Sequence, residues 1–240
     1  MKQKILITLV PILGSILAIL SYFKFINVDL STDSVKFKNE YEKFNGVEAY
    51  GQKYQELNIS STNPIKYSNY DEIIDIIENK TGVIYLGFPE CPWCRTIIPV
   101  LFDAVNENKI DTIYYLNIKD ERDSYVIENN KLVYEIDENG NEKKGTKGYF
   151  KLLSALDEYL TEYTISFEGE TYETGEKRIY APTVIFVKDG KILGIHVSSV
   201  DSQTSGFDKL TDKQEEELYS IYENYILEMK ENTCSSGSSC

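Results

Sequence analysis

Histidine is almost absent from the chain: His196 is the only one in 240 residues. A histidine-ligated zinc or copper site, a Cys–His nucleophile pair and a Ser–His–Asp triad are therefore hard to assemble. His196 itself, in Gly194-Ile195-His196, reads as a half-exposed strand residue. Arginine is scarce too, with Arg95, Arg122 and Arg178 alone, and the formal net charge is −14. Such a chain lacks the basic patch that nucleic acid requires, so no nucleic-acid partner is expected. Its acidity is that of a soluble, self-repelling surface. Cysteine is limited to four residues in two pairs, Cys91/Cys94 and Cys234/Cys240. That excludes a dense disulfide framework.

Long apolar runs are also missing, except for one. Lys2 and Lys4 precede a mostly apolar stretch from Ile5 to Phe23, and Lys24 follows. A helix of that length spans a bilayer core, and Pro11 and Gly14 are tolerated within it. The basic residues ahead of it favour a cytoplasmic N-terminus with the remainder outside. Residues 1–24 are read as a membrane anchor, with a cleaved signal peptide as the rival; no small-x-small cleavage site follows the run. Without its lysines, the rest of the chain has 22 basic and 39 acidic residues, a net −17.

Residues 25–62 read as a tether and N-terminal extension. Ser34 to Phe44 has helical spacing, with Val35, Phe37, Tyr41 and Phe44 on one face and Gly46 as the stop. A loop follows, with a short strand near Leu57 to Ile59. The compact domain is expected over 63–230. Pro64 to Tyr67 is a strand, Ser68 with Asp71 starts a helix, and Ile73, Ile74, Ile76 and Ile77 give it an apolar face. Val83 to Phe88 is apolar without alternation, as a strand covered on both faces should be. A helix with Ile97, Ile98, Leu101, Phe102 and Val105 inward comes next, then a strand over Asp111 to Ile118. Strand, helix and strand on short links predict a βαβ unit with parallel strands.

Residues 119–180 read as an insertion with its own small structure. Asn139-Gly140 marks a turn, and Tyr149 to Tyr159 is a helix with Phe150, Leu153, Leu156 and Leu160 inward. After it, Ala181-Pro182-Thr183 opens the buried strand Val184 to Val187. Asp189-Gly190 turns the chain into an antiparallel return over Ile192 to Val197, and a polar loop over Ser198 to Lys209 follows. Thr211 with Gln214 caps a long amphipathic helix to Lys230. Residues 231–240 are a short, small-residue tail.

The chemistry concentrates at Gly87-Phe88-Pro89-Glu90-Cys91-Pro92-Trp93-Cys94-Arg95. Cys91 falls at the helix N-cap and Pro92 at its first residue, where a missing N–H costs nothing. Unpaired N–H groups and the helix dipole stabilise a thiolate there, with Arg95 adding to the effect and Glu90 opposing it.

With the Ala181-Pro182-Thr183 segment, its buried strand and the Lys-Asp-Gly-Lys turn, this stretch resembles the thioredoxin family over roughly residues 63–230. More narrowly, FPECPWCR, YAPTVIFVKDGK and the apolar N-terminus look like membrane-tethered, extracytoplasmic thioredoxin-like proteins of Gram-positive bacteria, some of them described as bacteriocin transport accessory proteins. The resemblance implies an α/β thioredoxin fold, a mixed central sheet flanked by helices, with an insertion before the strand that follows a cis Pro182. It also implies that the loop at Ala181 and Pro182 lies against the dithiol and pairs with substrate backbone. Pro92 and Trp93 would add contact surface beside the sulfur. One departure stands out: where many thioredoxins bury a carboxylate six residues before the first cysteine, this chain has Tyr85.

The expected activity is thiol–disulfide exchange on protein thiols and disulfides outside the cytoplasm, Cys91 attacking and Cys94 resolving. It needs no cofactor beyond the redox-active disulfide, and no metal is assigned. The sequence leaves the direction of exchange open. The alternatives are a non-catalytic accessory or binding module for export or secretion, and a thiolate metal carrier. Cys234 and Cys240, written CSSGSSC, admit a local bridge, a mobile second dithiol that reaches the first, or metal ligands alongside Cys91 and Cys94. The tail is long enough for the second, at roughly 30 Å extended.

Overall fold

At the centre of the structure, a computed structural model that describes residues 32–231, lies a strand with all six residues buried, Gly82–Gly87. It is the fourth strand of the chain, β4, and the middle one of a five-stranded mixed sheet in the order β11-β10-β4-β5-β3. The others are β3 (Ile65–Tyr67), β5 (Ile113–Asn117), β10 (Thr183–Lys188) and β11 (Lys191–Val197). β5 runs parallel to both β4 and β3, as the βαβ pattern predicts, while β10 is antiparallel to β4 and to β11. Along β4, Val83 and Tyr85 join one core cluster while Ile84 and Leu86 join the other. Val184 and Phe186 alternate with Ile185 and Val187 in the same way on β10. The lack of polar alternation in both strands follows from these two covered faces.

Helices α1 (Asp33–Glu42), α3 (Pro92–Glu107) and α5 (Asp212–Lys230) supply one core, and α2 (Tyr70–Asn79) with α4 (Lys147–Ala155) supplies the other. Helix α5 begins at the Thr211–Gln214 capping box, as its sequence predicts. Helix α2 starts one residue later than expected. Asn69 and Glu72 form the capping box, because the Ser68 N–H is already bonded to the Tyr115 carbonyl in the sheet. The turn between β10 and β11 has Asp189 and Gly190 at φ of 50° and 73°, the paired left-handed geometry of a two-residue hairpin.

The compact body begins at Asp33, not near Asn63. Phe37 and Tyr41, one turn apart on α1, are wholly buried against Tyr85 and Tyr115. No strand forms at Leu57–Ile59, because side chains satisfy that backbone. The Asn45 amide bonds both the N–H and the carbonyl of Leu57, Glu42 accepts from the Ile59 N–H, and Lys38 donates to the Ile59 carbonyl. A small hairpin, β1 (Glu48–Ala49) with β2 (Gln52–Lys53), lies upstream.

Residues 119–180 carry two more hairpins, β6 (Tyr125–Glu128) with β7 (Lys131–Tyr134), and β8 (Glu162–Phe167) with β9 (Glu170–Lys177). A turn stabilised by the Asp137 carboxylate sits at Asn139-Gly140. Helix α4 is not peripheral: Tyr149 and Leu152, with Leu156 just beyond, belong to the second core. Of the residues expected inward, Leu156 and Leu160 are buried as predicted, while Tyr149 and Leu152 take the places of Phe150 and Leu153, and Phe150 is exposed. The Thr146 cap starts the helix two residues early, and Tyr149 then accepts from the Ile179 N–H inside the core.

Among the described residues no helix is long and apolar enough to cross a membrane. The expected anchor at residues 1–24 and the Cys234/Cys240 pair lie outside the described residues.

Candidate active site

The link from β4 to α3 places the dithiol. Cys91 is the N-cap of α3, and Pro92 opens the helix. A Cys94 N–H to Cys91 Sγ hydrogen bond of 3.2 Å closes the first turn. Both thiols are free, with Cys91 5% exposed and Cys94 not at all. The outer sulfur can therefore meet a substrate while the inner one cannot. The Ala181–Pro182 peptide is cis, and Cys91 Sγ donates to the Ala181 carbonyl at 3.4 Å. The Ala181 carbonyl, expected to be open to a partner strand, is thus engaged while Cys91 carries its proton. A thiolate has no proton to give, so deprotonation releases that carbonyl. The loop itself is held by Thr183 Oγ1 on the Tyr180 carbonyl and by the Ser198 N–H on the Pro182 carbonyl.

Burial pushes the Cys91 thiol up, but the Cys94 thiol, the Cys94 and Trp93 N–H groups and the Arg122 charge outweigh it, and the net direction is down. Cys94 moves the other way. Burial raises it well above the ordinary thiol range, Cys91 adds to the rise, and the nearby Tyr85 hydroxyl works against it. The two shifts run in opposite directions, so a thiolate is favoured at Cys91 and disfavoured at Cys94.

Tyr85 is fully buried and shares a 2.8 Å hydrogen bond with the Tyr41 hydroxyl, so a neutral phenol pair stands beside Cys94. Gly87, two residues on and on the same face of β4, makes room for it. A methyl group there would overlap the Tyr85 hydroxyl.

Arg95 and Glu90 do not act as expected. Arg95 is completely buried and points away from the sulfur, donating to the carbonyls of Tyr41 and Gln55 and to Asn45 Oδ1. The arginine that acts on Cys91 is Arg122, stacked on Phe88 at 4.9 Å. Glu90 is paired with Lys119 at 2.9 Å, and its carbonyl accepts from the Tyr54 hydroxyl.

Trp93 is half-buried under the 198–210 loop, whose Gly206 lies on it so closely that a Cβ would fall 2.7 Å from the Trp93 nitrogen. Thr96 and Gln55 bond the Gly206 carbonyl, at 3.0 and 3.1 Å, and hold the loop there. That contact runs through backbone and leaves no mark in the sequence. Arg122 and Tyr41 were missed because each lies far along the chain from Cys91. The scarcity of arginine was the one available signal for Arg122. Neither family models nor curated proteins provide a match to the chain.

Alkylation of Cys91 should rise with pH through a midpoint below that of free cysteine, about 8.5, with Cys94 unmodified. Arg122→Gln should move the midpoint upward. Mass-spectrometric rates on the folded protein check this, and a wild-type midpoint at or above the free value would contradict the assignment.

Proposed function

We propose that the chain is a thiol–disulfide oxidoreductase of thioredoxin fold, acting on protein disulfides and thiols. The observation that carries the reading is Cys91 at a helix N-cap, its sulfur accepting the Cys94 N–H, beside the cis Ala181–Pro182 loop. The strand order, with β10 alone running against the other four strands, supports the fold. The extracytoplasmic, membrane-anchored setting rests on the sequence of residues 1–24.

In the reducing direction, the Cys91 thiolate attacks a substrate disulfide, forming a mixed disulfide and releasing one substrate thiolate. Cys94 then loses its proton and attacks Cys91 Sγ. The Cys91–Cys94 disulfide forms, and the second substrate sulfur leaves and takes up a proton. Two electrons pass to the substrate, and both cysteines are oxidised. The reverse sequence delivers a disulfide to a substrate dithiol. A potential near about −270 mV favours the first direction and one near about −120 mV the second.

Cys91→Ser should lower the rate of exchange with a disulfide-bonded protein by about a thousandfold or more, since the nucleophile and its leaving group are both lost. Stopped-flow or gel-based exchange assays measure it. Exchange that survives the substitution would sink the proposal.

A further inference from the structure

Beside the dithiol lies a cleft of about 730 Å³. Phe88 lines it together with Arg122, Glu135, Lys143 and Arg178 from the insertion. An acidic chain with three arginines thus sets two of them here.

The charges around the cleft are nearly all engaged. Lys119 is paired with Glu90, and Lys143 with Glu135 at 2.6 Å. Arg178 donates to the Asp123 carbonyl at 2.8 Å and lies 3.7 Å from the buried Asp123 carboxylate. Asp137 accepts from the Asn139 and Asn141 N–H groups. Among the cleft's cations, Arg122 is the exception. Among the described residues its guanidinium has no hydrogen bond and no ion pair, only the face of Phe88. Burial and the like charge of Arg178 both bear on it unfavourably. A guanidinium carries five N–H donors in a planar fork that matches a carboxylate. Phe88, on which it stacks, accepts from the Cys91 N–H through its carbonyl, so an anion on Arg122 would sit close to the exchanging sulfur.

We infer that this cleft is a substrate subsite, in which Arg122 takes the carboxylate of an acidic residue flanking the substrate cysteine. Asp120 and Glu138 also line the cleft, but both are exposed and screened by solvent. They favour a singly charged carboxylate over a dianion such as phosphate. The inference rests on the oxidoreductase reading and adds to it the class of substrate. It also gives the insertion a role, since Arg122 and most of the residues around it belong to that segment.

The test compares disulfide peptides that differ only by Glu or Gln next to the cystine, with amidated C-termini. The full-length wild-type chain should exchange with the Glu peptide about tenfold faster in kcat/KM, the scale of one charge-assisted hydrogen-bonded pair. In Arg122→Gln the ratio should fall to about one. The ratio within each protein cancels any change in Cys91 reactivity. A Gln peptide with a free C-terminal carboxylate is the third arm. If it alone is preferred, the subsite reads chain ends rather than acidic side chains, and the inference is overturned. Binding of the reduced peptides to Cys91→Ser, followed by the fluorescence of the single tryptophan, Trp93, separates the two layers of the argument. No exchange with either peptide but tighter binding of Glu than Gln would reject the oxidoreductase and keep the subsite. Equal affinities there, or an unchanged ratio in Arg122→Gln, would reject the subsite.

Discussion

Cys94→Ala should turn the chain into a trap, accumulating substrates bound through Cys91 as mixed disulfides that the wild type does not retain. The reason is the order in which the two sulfurs become reactive. Cys94 is wholly buried, and burial together with the neighbouring Cys91 holds its thiol well above the ordinary range. Once Cys91 has attacked a substrate, its sulfur is in a covalent bond and its charge is gone. The part of the penalty on Cys94 that came from Cys91 is then removed, with the Tyr85 hydroxyl in place to support the second thiolate. Attack within one helical turn has an effective concentration far above that of any free thiol, about 10⁵ M or more in well-oriented cases. Without Cys94 the adduct can leave only by outside thiols, so its lifetime should lengthen by about a thousandfold or more. Removing one buried sulfur costs on the order of 1 kcal/mol, so the variant should still fold. Non-reducing gels and peptide mapping should locate the adduct at Cys91, and reductant should release it. A Cys91→Ser/Cys94→Ala double variant should lose that adduct and keep only what Cys234 and Cys240 form. No adduct at Cys91 in the single variant, or one that the wild type retains equally, would remove the case for an attacking and a resolving cysteine.

The elements read correctly from sequence are those whose signal is local. The apolar run at β4, the capping box of α5 and the Asp189-Gly190 turn each depend on a few adjacent residues. The placement of Cys91 as cap and Pro92 as first helical residue is equally local. What went astray depends on partners distant in the chain. Helix α1 reads as part of a tether because seven of its ten residues are charged or polar, yet Phe37 and Tyr41 complete an aromatic cluster whose other members are about forty to eighty residues away. Leu57 and Ile59 have strand-like composition, but Asn45, Glu42 and Lys38 take their hydrogen bonds before any strand can. At the site, proximity in sequence misassigned the charges. Arg95 is one residue from Cys94, but a helix turns its side chain about 100° per residue, and this one turns toward α1. Arg122 approaches Cys91 only because β5 lies beside β4.

Arg95→Met should destabilise the protein by roughly 3 kcal/mol while leaving the alkylation midpoint of Cys91 where it is. No carboxylate pairs with this arginine among the described residues. Its contacts are the Tyr41 and Gln55 carbonyls and Asn45 Oδ1, each reached at 2.6 Å, with the Tyr54 ring 5.5 Å away. These groups tie α1, the turn after it and the segment beyond β2 to the helix that carries the dithiol. Methionine keeps the apolar stem but has no donors. Asn45 retains its bond from the Leu57 N–H and the Tyr41 carbonyl its bond from the Phe44 N–H, so the group left unpaired is the Gln55 carbonyl, at about 1–3 kcal/mol, to which the loss of the other two charge-assisted bonds is added. Against this stands the relief of no longer burying a cation, which reduces the loss without cancelling it, because the wild-type guanidinium is well bonded. For a body of this size the melting temperature should fall by about 10 °C. Denaturant titration and calorimetry measure the loss, and limited proteolysis should cut first between residues 43 and 57. Arg122→Gln should show the opposite pairing, a raised Cys91 midpoint with little change in stability. If Arg95→Met proves as stable as the wild type, dehydrating the guanidinium costs as much as its hydrogen bonds return, and Arg95 is not what fastens the N-terminal segment. If instead it raises the Cys91 midpoint as Arg122→Gln does, the division of labour between the two arginines is wrong.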